Sequence, residues 1–489
     1  MWWDEILEGI HPGWAAIFNS PEVQPHLMKA LASLAPELQR SAEGGKRVVP
    51  NLGNILEAFR YFSPANLRVV IVAQDPYYNL IRAGEELVPQ AQGLCFSCHP
   101  DTSRVQPSLN NIRDAAAQEM AEQAAAMGTN LDTLLRHHRM GVLDPPYILK
   151  DLRFWAAQGV LLLNRALTTL EGQAGAHLLI WEDFTEAVVT YLSTHRADLP
   201  PPVFLLWGNP AKKLRRSIEK AGGRGVFHEW SHPSPTADNS RVDDPTSDRA
   251  KFKHCGHFKK ANLDLAKAPA RGDGFARPIQ WLETATLAAT DGGCDDNGKK
   301  GAKASFGVLV DSGPLAGLRM FGPVQPFTYE WVNPSNPLVG FRPTTRPTAP
   351  TNNRGEMLAM AYCLLAICRA GLTAPVIIVC DSDLTIKTLD EWVHTWKVKG
   401  IVRQKKNPDL VSIADTLMGI ARSRTQIKLQ HQNSHRKSPP RVTSPPGTPQ
   451  RQAEEMALMF WDMNDRVDEL ATQGKTATKI HFGGGFWLP

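Results

Sequence analysis

Val70-Ile71-Val72-Ala73-Gln74-Asp75-Pro76-Tyr77-Tyr78-Asn79 is an apolar, β-branched run that stops at an acid, a proline and two tyrosines. Such a run reads as a buried strand, and open α/β sheets place their ligands beyond the carboxyl ends of their strands. Asp75 is therefore a candidate site residue, although Asp-Pro also starts ordinary turns. Two further apolar runs, Val160 to Leu163 and Val203 to Trp207, are bounded by turn residues and followed by helical spacing. Strand and helix alternate as in a parallel, doubly wound sheet, so the fold class is α/β.

Working outward, residues 1 to 68 show helical spacing (Trp3, Ile6, Leu7, Ile10; Leu27, Leu31, Leu34, Leu38) broken by Pro21, Pro25 and Pro36, then an extended Val48-Val49-Pro50. Pro107-Ser108-Leu109-Asn110-Asn111-Ile112 opens a helix with Ser108 as its expected N-cap, and the Ala- and Gln-rich Ala115 to Met127 reads as a solvated helical insertion. Ala266 to Arg277 lacks periodicity and reads as a linker. A new pattern follows: a strand Ala285 to Ala289 ending at Asp291-Gly292-Gly293, a strand Ser305 to Val310, and a proline-rich connection or insertion over 322–350. Then come a helix from Thr351-Asn352-Asn353, a strand Val376 to Cys380, helices Leu384 to Trp396 and Leu410 to Ile420, a strand Ile427 to Leu429 and a helix near Ala453 to Ala471. This is a second α/β domain. Arg436 to Gln452 is Pro-, Ser- and Arg-biased and reads as a mobile basic loop.

At 489 residues and 42% hydrophobic content the chain is long enough for several ordinary cores. A net charge of +5 permits nucleic acid without requiring it, and any such surface must come from local patches. Seven cysteines are too dispersed for a disulfide framework; Cys95 and Cys98 form a lone C-x-x-C, which reads as packing rather than a zinc site. The N-terminus lacks a basic region followed by an apolar one, and no uncharged run reaches membrane-spanning length. The expectation is a soluble intracellular protein without a membrane partner.

Gln74-Asp75-Pro76-Tyr77, Gly93-Leu94-Cys95-Phe96-Ser97, Gly159-Val160-Leu161-Leu162-Leu163-Asn164 and His232-Pro233-Ser234-Pro235, in this order, resemble the motifs of family 1 uracil-DNA glycosylases over about Trp3 to Trp281. Each motif alone has an ordinary reading, a cap or a rigid turn; four in order on predicted strand ends do not. The resemblance implies that Asp75 orients a water and faces the cationic sugar, and that His232 donates to uracil O2. It implies that the Asn164 amide donates to O4 and accepts from N3–H, that Phe96 stacks on the base, that Tyr77 occupies the volume of a thymine methyl, and that Gln74 adds contacts. Pro107-Ser108, Gly208-Asn209 and Ser231 with Ser234 match its phosphate-gripping loops, and Pro278 to Trp281 resembles its C-terminal end, expected to pack back on that domain. Three positions depart from the pattern: Ala73 stands for a usual Gly, Tyr78 for a usual His, and Thr236 for the usual Leu that wedges into the gap left by a flipped base. Arg165 stands where a small residue is common, and its guanidinium could compensate by gripping a phosphate or filling that gap.

Thr290-Asp291-Gly292-Gly293, Thr351 to Glu356, Cys380-Asp381-Ser382 and Asn464 to Ala471 resemble type 1 ribonuclease H, over roughly Thr284 to Gly474. Asp291, Glu356, Asp381 and Asp468 are then expected at a strand end, in the first turn of a helix, at a strand end and at the start of a final-helix run. Four convergent carboxylates suit two Mg²⁺ ions, or Mn²⁺, about 4 Å apart. By the same resemblance His435 helps product leave or moves protons, and Asn352 reads 2′-hydroxyls. Trp392, Trp396, Lys397, Lys399, Lys405 and Lys406 match a basic protrusion that holds the DNA strand. The expected architecture is a parallel-sheet α/β/α glycosylase-like domain over 1–281 and a mixed-sheet ribonuclease H-like domain over 282–489. The expected substrates are uracil-containing DNA, with no cofactor, and RNA–DNA hybrids, with divalent metal. The rival reading is a nucleic-acid-binding replication accessory in which one fold is catalytically inactive.

Overall fold

The computed structural model describes residues 2–483, apart from 100, 101, 103, 104, 127–149, 270–275, 283–285, 298, 300, 434–437, 446 and 447. These residues fall into two compact units, 2–126 with 150–282 and 286–483.

The first unit is built on β1 (Val69–Ala73), β2 (Val160–Asn164), β3 (Val203–Trp207) and β4 (Val226–Trp230), in the order β2-β1-β3-β4 and all parallel. β1, β2 and β3 are buried at every residue, which is why their sequences are continuous apolar runs rather than alternations. β4 is an edge strand of intermediate burial that admits His228 and Glu229, so no apolar run announces it.

The helices are α1 (Gln24–Ala42), α2 (Pro107–Ala126), α3 (Leu178–Thr194), α4 (Asn209–Lys220) and α5 (His257–Ala266). Two expected breaks are absent: Pro25 lies in the first turn of α1, where its missing N–H costs nothing, and Pro36 lies inside the helix. The buried face of Leu27, Ala30, Leu31 and Leu34 packs with α3 and outweighs the lost hydrogen bond. Ser108 is not the N-cap but the second residue of α2, behind Pro107, which suits the first position. Nor is the following stretch simply solvated. Ala115 and Ala116 are fully buried, and Glu119 Oε2 accepts from the Lys259 N–H in the first turn of α5 (2.7 Å). Met127 lies outside the described residues. Residues 278–281 do pack back on this unit: the Trp155 indole donates to the Trp281 carbonyl (3.0 Å), the Trp281 indole donates to the Phe258 carbonyl (3.0 Å), and the Trp155 and Trp281 rings meet edge to face at 5.1 Å.

The second unit has a mixed six-stranded sheet of β5 (Thr286–Asp295), β6 (Lys303–Val310), β7 (Arg319–Pro323), β10 (Val376–Cys380), β11 (Ile427–His431) and β12 (His481–Gly483). Its order is β11-β10-β5-β6-β7-β12, with β10 parallel to both neighbours and the rest antiparallel. The proline-rich 322–350 is not a bare connection, for it contains a hairpin of β8 (Phe327–Trp331) and β9 (Phe341–Pro347). The chief helices are α6 (Asn352–Ala370), α7 (Pro408–Arg422) and α8 (Pro449–Gly474). The final helix therefore starts four residues earlier than its apolar spacing indicates. Part of the preceding basic loop is pinned to it, since Glu454 accepts from the Thr443 and Ser444 N–H groups (2.7 and 2.9 Å).

Successive strand residues face opposite sides. A Cβ on Gly292 would lie 2.2 Å from the Glu356 nitrogen of α6, whereas one on Gly293 would meet Lys475 and Ala471 at the end of α8. The two helices therefore cover opposite faces of β5. On the α8 side Leu287, Ala289, Leu309, Ile377, Val379, Phe460, Met463 and Val467 form a buried cluster. A methyl group at position 292 leaves α6 no room, so we expect Gly292→Ala to destabilise the second unit by about 1–3 kcal/mol. Thermal unfolding of the variant is the check, and an unchanged midpoint would show that α6 yields at no cost.

Candidate functional sites

The first site gathers at the carboxyl ends of β1 to β4. Past the end of β1, the Gln74 carbonyl accepts from the Ala166 N–H (2.8 Å), and Asp75 Oδ2 accepts from the Gly175 N–H. Burial pushes the half-buried Asp75 carboxyl above the ordinary carboxylate value, and the Gly175 N–H opposes the shift. Asn164, the last residue of β2 and level with Ala73, is 1% exposed, and its Oδ1 finds no hydrogen-bond partner among the described residues. An unpaired buried acceptor costs about 1–3 kcal/mol.

Tyr77 donates to the Phe96 carbonyl (3.3 Å), joining the two aromatic candidates. Phe96 holds a left-handed φ of 61° and its ring lies 6.0 Å from the His232 ring and 5.7 Å from the Trp207 ring. The Cys95 thiol donates to the Ile71 carbonyl (3.5 Å), and Cys95 and Cys98 are buried free thiols, as packing requires. His232 Nδ1 accepts from the Ser234 N–H (3.0 Å), so the ring proton of the neutral imidazole sits on Nε2. Burial lowers the His232 pKa from 6.5, favouring that neutral form. Gly208 caps α4 with φ +88°, where a Cβ would stand 3.1 Å from His232 Cβ, so a side chain there would push the imidazole out.

Pro107 and Ser108 open α2, whose Asn111 amide donates to the Pro233 carbonyl (2.8 Å) and so reaches the His232 loop. Ser234 caps a four-residue helix, Pro235–Asp238, with Thr236 exposed on it. Arg165 is largely buried and paired with Glu182 of α3 (2.9 Å). Sequence reasoning missed Gly175, which lies in no motif, and Asn111, whose role is visible only through space.

The second site lies where β5 passes the end of β10. Asp291 is the sixth residue of a ten-residue strand, not its end, because β5 continues as the antiparallel partner of β6. β10, however, stops at Cys380 opposite Thr290, so Asp291 is one residue past the end of its neighbour and Asp381 follows that end directly. Glu356 is the fifth residue of α6, just past its first turn, and Asp468 lies deep in α8 rather than at its start. Glu356, Cys380 and Asp381 bring ligand atoms within 4.8 Å of one another.

Burial, then Asp381 and Asp468, push the Asp291 pKa up; burial, Asp291 and Asp381 do the same to Glu356. Asp291 Oδ2 and Glu356 Oε2 are buried without a hydrogen-bond partner among the described residues. Hard, crowded, uncompensated carboxylate oxygens fit Mg²⁺ or Mn²⁺. The Asn352 amide donates to Glu356 Oε1 (3.3 Å). Arg354, 1% exposed, holds the start of α6 through Asp409 (2.8 Å) and the Phe327 carbonyl (3.1 Å). In the basic protrusion the Trp392 and Trp396 rings lie 6.0 Å apart, Lys405 Nζ stands 5.2 Å over Trp396, and Lys397 is paired with Asp415. His435 lies outside the described residues.

A parallel sheet with an Asp, an Asn and a His at its strand ends, followed by a mixed sheet with clustered acids, defines two nucleic-acid enzyme folds in one chain. The chain belongs to the uracil DNA glycosylase superfamily, whose model matches residues 59–266, and it carries an RNase H domain at 283–475. Uracil-DNA glycosylase of Photorhabdus laumondii is 33% identical over 269 residues, covering 55% of this chain and 95% of the relative; that of Tolumonas auensis is 32% identical over 274 residues, covering 55% and 96%. The crystal structure of mimivirus uracil-DNA glycosylase is 25% identical, with TM-score 0.39, over 52% of this chain and 83% of that one.

Because the Ser234 N–H occupies Nδ1 and burial disfavours the cation, NMR should find neutral His232 protonated at Nε2 and titrating below pH 6.5. A midpoint at or above 6.5, or an Nδ1–H tautomer, would contradict this geometry.

Proposed function

We propose that the first unit releases uracil from DNA by hydrolysing the N-glycosidic bond, and that the second cleaves the RNA strand of RNA–DNA hybrids with Mg²⁺ or Mn²⁺. The observation that carries the first reading is the buried, unpartnered Asn164 Oδ1, at the same sheet edge as Asp75 and a His232 whose pKa burial lowers. Breaking the bond leaves positive charge on the sugar and negative charge on the departing base, and an enzyme acting on one base must extrude it from the stack. Asp75 as carboxylate faces the sugar and orients water towards its anomeric carbon. His232 donates Nε2–H to O2 as charge gathers there. Asn164 Oδ1 accepts from N3–H while its amide donates to O4, a pairing that cytosine cannot match. Phe96 stacks on the base, and Tyr77, tied to Phe96, fills the space a thymine methyl would need.

For the second unit, the divalent cations would supply an activated water and neutralise charge at the leaving oxygen. Asp291, Glu356, Asp381 and Asp468 would hold them. Asn352, at the start of α6 beside Glu356, faces the 2′-hydroxyls, and Trp392, Trp396 and Lys405 hold the DNA strand.

The sites share no residue. We expect Asp75→Asn to lower uracil release by about 10²–10⁴-fold and leave hybrid cleavage unchanged, and Asp291→Asn to abolish hybrid cleavage alone. Assays of both activities on both folded variants decide it. If the parent shows only one activity, the idle unit is a binding module, and if each variant loses both, the sites are interlocked.

Thr236 is smaller than Leu and carries a hydroxyl that a base stack would desolvate, and Arg165 is already engaged by Glu182. Extrusion from a duplex costs a few kcal/mol that a single strand has largely lost. Thr236→Leu should therefore raise the ratio of duplex to single-strand excision rates; a ratio unchanged or lowered would remove Thr236 as a weak wedge.

A further inference from the structure

Behind the first site lies a buried imidazole that the proposed chemistry does not use. His257, the first residue of α5, is 1% exposed. The Trp207 indole N–H, which can only donate, donates to His257 Nδ1 at 3.0 Å. The proton of the neutral ring is thereby placed on Nε2, and the ring meets the Trp230 ring of β4 edge to face at 6.0 Å. His257 thus ties the last residue of β3 to β4, two residues ahead of His232.

Trp207 is itself 1% exposed, and its ring backs onto Phe96 at 5.7 Å, while Phe252 closes on Trp207 from another side at 5.1 Å. Phe96 needs that support. It holds a left-handed φ, which costs a non-glycine residue about 1–3 kcal/mol and persists only where packing over-determines it. A run of contacts leads from the Trp230 ring through His257 and Trp207 to Phe96, which also meets the His232 ring at 6.0 Å. Burial, and after it His228 and Lys260, push the His257 pKa down to about 3, so the acceptor at Nδ1 persists across the working pH range.

We propose that His257 is a positioning residue for base recognition: as a neutral acceptor it fixes the Trp207 indole behind Phe96 and holds the stacking platform at its spacing from His232. The inference rests on the uracil-excision reading. A platform displaced by even 1 Å can cost up to about a hundredfold in rate, without loosening a DNA grip made through phosphates elsewhere.

The test compares His257→Phe, which keeps ring volume but leaves the indole N–H without an acceptor, with His257→Asn, whose Oδ1 can replace Nδ1. Uracil release from a single-stranded oligonucleotide by the full chain is resolved into kcat and KM, alongside thermal unfolding. The Phe variant is expected to lose about 10- to 100-fold in kcat with KM within about threefold, and the Asn variant to recover most of the loss. Parallel loss in both variants at equal stability, or a lowered unfolding midpoint with kcat intact, would overturn the proposal and leave His257 a packing residue. If the Phe variant does not fold, Trp207→Phe serves instead. With the indole donor gone, adding His257→Asn should cost no further kcat, and an additive loss would overturn the proposal. A parent that releases no uracil would instead overturn the excision reading on which the inference rests.

Discussion

A strand whose side chains are all buried and apolar has one place left for polar chemistry, the residues beyond its last ladder hydrogen bond. β1 and β2 are such strands, and Asp75, Asn164, Gly208 and His232 all fall at or just past a strand's carboxyl end. The same burial that makes the strands apolar sets the electrostatics there. It raises Asp75 and lowers His232, drawing each towards its neutral form, and it makes the unmet acceptor of Asn164 expensive. Scaffold and site are thus two effects of one exclusion of water.

The second unit reaches a comparable state by crowding. Gly292, Gly355 and Gly307 each stand where a Cβ would strike backbone atoms, so α6 and α8 lie directly on the sheet. That closeness buries Asp291 and Glu356 beside other carboxylates, and burial first, then the neighbouring charges, push both of their pKa values up. The buried pair of Arg354 and Asp409 anchors the helix start against this repulsion. Removing one partner of such a pair leaves a buried charge uncompensated, so the anchor is costly to alter although it touches no substrate.

The α/β class and most buried strands were readable because full burial writes itself as contiguous apolar sequence. β4, β7 and β12 were not: β4 and β12 are edge strands, β7 is of mixed burial, and none of the three carries such a signature. Asp291 reads as a strand end because the apolar run stops at Ala289. In fact the glycines are there for helix contact while the strand runs on. Pro36 misled in the opposite sense, its cost hidden beneath a packed face. In the candidate site, short linear motifs yielded the residues on each loop. What joins the loops was not readable: Gly175 to Asp75, Asn111 to Pro233, Trp207 to His257 and Arg165 to Glu182 are contacts between residues far apart in sequence, or of types too common to mark.

The tail of the first unit also bears on how the two halves of the chain can be parted. Residues 278–281 are stitched on by the indoles of Trp155 and Trp281, by the Gln158 side chain, which bonds the backbone of Gln280, and by the Asn262 side chain, which bonds that of Ile279. Ile279 and Trp281 are as buried as any core residue. A proteolytic cut or gene fusion point within 266–277 would look harmless by composition, yet it would unplug the first unit and leave the rings of Trp155 and Phe258 facing water. The seam that leaves the first unit's core whole therefore falls after Leu282.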